Sequence, residues 1–96
     1  MANGQPLSPD EAHQRIRRLV NEGSTILAYH ASDRMNERNV DDQDVMHVLT
    51  YGSINGDETH WKKDAWRYVV TGEDIEGEET KCVVVIEDDL IIVTVI

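Results

Sequence analysis

Residues 81–96 read Lys-Cys-Val-Val-Val-Ile-Glu-Asp-Asp-Leu-Ile-Ile-Val-Thr-Val-Ile, two apolar runs separated by three acids. Both runs are rich in β-branched residues and nearly continuous, the pattern of strands covered in part on both faces. Three residues cannot form a crossover, so the runs must pair antiparallel through a tight acidic turn. Upstream, Ala65-Trp66-Arg67-Tyr68-Val69-Val70-Thr71 has the same β character, and Glu76-Gly77-Glu78-Glu79 reads as the turn between. The expected sheet is an antiparallel meander over 65–73, 80–87 and 90–96, with room for a further strand within Ser53 to Trp61. Its cover has to come from helices.

Those helices precede the sheet. Ser8-Pro9-Asp10-Glu11 combines a Ser N-cap, a Pro at the first helical position and a Glu that completes a capping box. Ala12, Ile16, Leu19 and Val20 fall on one stripe, and Gly23 supplies the left-handed stop, so the first helix spans about 9–22. Arg15, Arg17 and Arg18 lie mostly off that stripe and read as a solvated face. Thr25-Ile26-Leu27-Ala28 is a short extended lead-in to a second helix over 29–38, with Asn39 at its left-handed end. Asp41, with Asp44 three residues on, caps a third helix over 42–50 that Gly52 closes. The fold class is therefore α+β, with N-terminal helices packed on a C-terminal antiparallel sheet.

Composition narrows the functions. Of 96 residues 40 % are apolar and 29 % charged, which suits a single globular domain. Cys82 is the only cysteine, so no intramolecular disulfide can form, and a buried thiol in a reducing, cytoplasmic setting is expected. No signal segment or membrane-length apolar run is evident. The net charge of −10 is uneven: residues 1–40 hold five Arg against five acids, while 41–96 hold four basic residues against fourteen acids. Such a field repels phosphate at long range, so nonspecific nucleic-acid binding should be weak, with no membrane partner and no direct DNA contact.

Local patterns carry what chemistry there is. In His30-Ala-Ser-Asp-Arg34-Met-Asn-Glu-Arg38, spacings of four align one imidazole and two guanidiniums on a helix face. Such a row can grip a phosphodiester and exchange a proton near neutrality. The same spacing also fits a surface whose arginines pair with Asp33, Glu37 or the acidic turns. On the strands, alternation puts Trp66 and Tyr68 on one face and Arg67 on the other. Trp61-Lys62-Lys63 could stack a base and touch phosphate, or serve as a solubilised sheet edge. His13, His47 and His60 are scattered, so no metal site is expected; no nucleotide loop, HExxH helix or nucleophile elbow is present, and no cofactor is implied.

Tyr29-His30-Ala31, Arg34-Met35, Glu37-Arg38-Asn39-Val40, Asp44-Val45, Leu49 and Gly52 together resemble a bacterial and archaeal domain family of unknown function allied to the RelE-like toxins. Asn39 stands where that family's helix usually carries Gly. The N-terminal helix and Trp-containing strand are also similar to the motility and quorum-sensing regulator toxins. The resemblance implies one RelE-like domain over 1–96, with residues 1–7 flexible, acting as the toxin of a type II toxin–antitoxin pair. It implies a metal-independent endoribonuclease that cleaves mRNA, alone or on the ribosome, and is held by a DNA-binding antitoxin. His30 would move the proton while Arg34, Arg38, Arg67 and Lys81 stabilise charge, and Trp61, Lys62 and Lys63 would contact RNA. The alternative expectation is a noncatalytic module of the same fold that docks a basic protein through its acidic sheet end.

Overall fold

The computed structural model describes residues 4–96. Its elements in chain order are α1 (Pro9–Glu22), β1 (Thr25–Leu27), α2 (Tyr29–Arg38), α3 (Asp42–Tyr51), β2 (Ser53–Ile54), β3 (His60–Lys62), β4 (Ala65–Glu73), β5 (Glu79–Ile86) and β6 (Leu90–Val95). A single 3₁₀ turn, Gly56–Glu58, joins β2 to β3.

The helix ends form as the capping residues dictate. Glu11 N donates to Ser8 Oγ and Ser8 N to Glu11 Oε1, both at 3.2 Å, and Gly23 ends α1 at φ 75°. Asp41 and Asp44 repeat the arrangement at α3, with Asp44 N donating to Asp41 Oδ1 at 2.9 Å and Asp41 N to Asp44 Oδ2 at 3.2 Å. Asn39 takes the left-handed position after α2 at φ 57°. Each device satisfies backbone groups that a helix end leaves without partners.

Strands β4, β5 and β6 form the antiparallel meander, and β2 and β3 add short antiparallel pairs on β4. The sheet is mixed, however, because β1 pairs parallel to β6, in register Thr25↔Leu90, Ile26↔Ile91 and Leu27↔Ile92. The lead-in to α2 is thus an edge strand of a sheet ordered β1-β6-β5-β4-β2. Its partner lies 65 residues away, and no local pattern specifies such a pairing. A bulge shifts the β5–β6 register between Val83 and Val84.

Pairing assigns the faces. Tyr68, Val70, Cys82, Val84, Leu90, Ile92 and Val95 point to one side and join Ala12, Ile16 and Leu19 of α1, Ala31 and Met35 of α2, and Val45, Val48 and Leu49 of α3 in one core. Arg67, Val69, Thr71, Lys81, Val83, Val85, Ile91 and Thr94 alternate to the other side, outside that core cluster. Cys82 is fully buried, and burial pushes its thiol pKa up to about 12, so it stays protonated and packs as a small apolar residue.

Two hydrogen bonds join the described part of residues 1–7 to β4. Trp66 Nε1 donates to Gly4 O at 2.6 Å and Leu7 N to Tyr68 Oη at 2.9 Å, while residues 1–3 lie outside the described residues.

One close approach sets how α3 meets the sheet. A Cβ on Gly52 would lie 2.6 Å from both Thr71 O and Val48 O, and one on Gly72 would lie 2.9 Å from Gly52 Cα. Two glycines therefore touch where α3 ends against β4. Gly52→Ala should lower stability by about 1–3 kcal/mol, the cost of overpacking a contact with no room to relax, read as a lower urea midpoint. Gly56→Ala, whose Cβ would meet only Pro9 Cγ at 3.5 Å, should change it by less than about 1 kcal/mol. Equal effects would remove the close approach as the reason for Gly52.

Candidate functional site

Helix α2 does align His30, Arg34 and Arg38 by its periodicity, with His30 and Arg38 exposed and Arg34 half-buried. Arg34 is engaged by its own molecule: Nη1 lies 3.6 Å from Glu37 Oε1 and Nε donates to Val95 O at 3.5 Å. Ala31 and Met35 turn the other side of α2 into the core, on the Cys82 and Val84 face of the sheet. Arg67 and Lys81 alternate to the opposite face, so the sheet lies between them and α2's core-facing side. The five residues expected to share one phosphate are divided between a helix surface and a sheet face.

Nor are Arg67 and Lys81 equivalent. Lys81 sits opposite Thr71, four residues along β4 from Arg67, or about 13 Å. Lys81 Nζ is 2.7 Å from Glu58 Oε2, and that hydrogen bond, followed by the carboxylate's charge, raises the Lys81 pKa. Its charge is matched. Arg67 pairs across β3 with His60, and its buried Nε has no hydrogen-bond partner among the described residues.

The Trp61-Lys62-Lys63 segment forms a two-residue hairpin. Lys63 and Asp64 both adopt positive φ, 52° and 63°, which places Trp61 opposite Trp66. The two indoles meet edge to face at 5.5 Å and 71°, so Trp61 already has an aromatic partner. Lys62 alternates away from Trp61, and Lys63 occupies the turn. Lysines and indole thus do not form one stacking platform. Among the described residues no group of three or more His, Cys, Asp or Glu could hold a metal ion, and no helix is long and apolar enough to cross a membrane.

The clustering that sequence reading missed lies at the other end of β4. The β4–β5 turn is wound on Asp74, whose Oδ1 accepts from Glu76 N at 2.9 Å and Glu78 N at 2.8 Å. Ile75 N donates to Asp44 Oδ1 at 3.1 Å, tying the turn to the first turn of α3. His47 Nδ1 donates to Glu73 O at 2.9 Å; a carbonyl only accepts, so that nitrogen carries the proton. The His47 ring also packs on Tyr51 at 4.9 Å. These ties assemble an apolar patch of Met46, Tyr51 and Ile75 beside a cavity of about 430 Å³. Tyr51 is 75 % exposed and Ile75 57 %. Exposed Asp42 lines the same cavity, and Asp41, Glu73 and Glu76, also exposed, are near neighbours of Asp42 or Ile75 along the chain. The sequence signal was a lone isoleucine inside Glu73-Asp74-Ile75-Glu76, but nothing local joined it to α3.

Comparison with known families finds a match. The family model described as a domain of unknown function (DUF4258) matches residues 27–96, a span that leaves out α1. No curated protein matches.

Asp44 ties the β4–β5 turn to α3, and its hydrogen bonds shift its own carboxyl. The backbone hydrogen bond from its own cap at Asp41, then that from Ile75, lowers its pKa below the ordinary 3.8. A depressed carboxyl stabilises the fold above its unfolded pKa, and that contribution is lost as pH falls through the lower folded value. Between about pH 5 and about pH 2, thermal stability should therefore fall less steeply in Asp44→Asn than in the wild type, measured by circular dichroism. Superimposable slopes would show that the fold does not depress the Asp44 carboxyl.

Proposed function

The chain belongs to the DUF4258 family of domains of unknown function, and from its geometry we propose that it is a noncatalytic docking module whose acidic end binds a basic protein. The observation that carries this reading is the patch of exposed Tyr51 and Ile75 with half-buried Met46, lined on one side by Asp42 and flanked along the chain by exposed Asp41, Glu73 and Glu76. An apolar centre within a charged rim is the anatomy of a protein interface, and a tyrosine among its anchors suits a small number of dominant contacts. The rim's sign selects a partner with Lys or Arg around an apolar side chain. It also excludes a second copy of the same patch, since acids would then oppose acids. The surplus of acids after residue 41 has its use here, in steering and orienting that partner.

The competing reading, an antitoxin-controlled endoribonuclease related to the RelE-like or motility and quorum-sensing regulator toxins, needs His30, Arg34, Arg38, Arg67 and Lys81 around one phosphate. Their division by the sheet and the pairing of Lys81 with Glu58 weigh against it. The discriminating feature is the carboxylate beside the apolar patch, which favours a basic protein and repels phosphate.

Two measurements test the proposal. A helical peptide with a Leu face flanked by Lys and Arg should bind, and Tyr51→Ser with Ile75→Ser should weaken it by roughly tenfold or more, the effect of removing interface anchors. Affinity should also fall with added salt. Equal binding of a basic peptide lacking the Leu face would overturn the reading. Incubation with mRNA should give no cleavage. Cleavage that His30→Ala, Arg34→Ala or Arg38→Ala reduces by roughly 10- to 150-fold would instead establish the endoribonuclease.

A further inference from the structure

A second cavity, of about 300 Å³, opens at the opposite end of β4, between the N-terminal segment and the β3–β4 hairpin. Its lining includes Trp61, Trp66 and Tyr68 together with the carboxylates of Asp64 and Glu87, and Arg15. The two indoles are held 71° apart by the hairpin, whose left-handed Lys63-Asp64 turn fixes Trp61 against Trp66. Trp66 spends its only donor on Gly4 O, at 2.6 Å, and the Tyr68 oxygen accepts from Leu7 N at 2.9 Å. Trp66 is left with only the π surface that its edge-to-face contact with Trp61 keeps open, and the open ring faces of both indoles carry negative potential. Among the described residues neither Asp64 nor Glu87 is in an ion pair.

We propose that this cavity is an aromatic cage for an alkylated ammonium cation, a quaternary or trimethylated amine. Ring faces and two unpaired carboxylates both favour positive charge, and a methylated ammonium needs few hydrogen-bond acceptors while offering apolar surface to the indoles. A primary ammonium is strongly hydrated and would have to shed that water among rings that cannot replace it. The volume stands at the lower end of small-ligand sites, suited to one compact head group. Arg15, the one cation in the lining, opposes the ligand and sets an upper limit on affinity. The cage is independent of the acidic patch beside α3, since the two sites share no lining residue.

The chain has two tryptophans and both line the cavity, so intrinsic fluorescence reports occupancy directly. Choline should change the emission saturably, while 3,3-dimethyl-1-butanol, its uncharged isostere, should bind roughly tenfold more weakly or not at all. Arg15→Ala should tighten choline binding several-fold, and Asp64→Asn, which keeps a residue type tolerant of positive φ, should weaken it. Trp61→Ala should cost roughly tenfold, read by the remaining indole. A peptide bearing trimethyl-lysine that binds more tightly than choline assigns the cage to a protein side chain, and one that binds no tighter assigns it to a free amine. Binding of the neutral isostere as tight as that of choline overturns the proposal on the wild-type protein, whether or not the Trp61 variant folds. So does a folded Trp61→Ala that binds choline unchanged.

Discussion

Strand β5 runs through the middle of the sheet, and its inner side chains Cys82 and Val84 are wholly removed from water. Burying an aliphatic side chain of this size contributes about 1.5–3 kcal/mol, so a strand so apolar on both faces cannot stand at an edge or face solvent. Most of the remaining architecture answers that requirement. β4 and β6 flank it in antiparallel register, and Ile16, Leu49 and Ala31 come from three separate helices to close over the inner face. Because helices need satisfied ends wherever they meet the sheet, the caps at Ser8 and Asp41 follow from the same demand.

How closely the helical layer can approach is then a matter of single atoms. Where α3 ends, Gly52 and Gly72 bring two backbones into contact at a distance no side chain permits. The same short helix begins with Asp44, whose carboxylate is buried at its edge and shared between its own cap and the β4–β5 turn. One helix of ten residues is therefore pinned at both ends, by steric fit at one and by hydrogen bonds at the other. The acidic patch inherits its shape from that pinning, since Met46, His47 and Tyr51 lie between the two fixed points.

Charge is distributed by the same geometry. The arginines of α2 sit on the outer surface of a helix whose inner surface is core, while Arg67 and Lys81 occupy the far face of the sheet. Lys81 is matched by Glu58 from the 3₁₀ turn, and Arg34 leans on Glu37 and on the carbonyl of Val95, the last residue of β6. Acids line both ends of β4, Asp42 beside the apolar patch and Asp64 and Glu87 beside the tryptophan pair.

Whatever is decided within a few residues along the chain could be read from residue order alone. The Ser8–Glu11 and Asp41–Asp44 boxes, the left-handed stops at Gly23 and Asn39, and the acidic turn that forces β5 and β6 antiparallel are short-range interactions, and their residues are adjacent in the text. Alternation likewise separated Arg67 from Trp66 and Tyr68. The facing of Trp61 and Trp66 was within reach, because a two-residue hairpin at Lys63-Asp64 makes them cross-strand partners, but neither residue there is the glycine or asparagine that signals such a turn. The parallel pairing of Thr25–Leu27 with β6, the link from Asp44 to Ile75, and the face of the sheet on which α2 settles come from the packed chain. Each joins segments tens of residues apart, where a backbone hydrogen bond or a methyl contact carries no local pattern and is selected by the packing of the whole core.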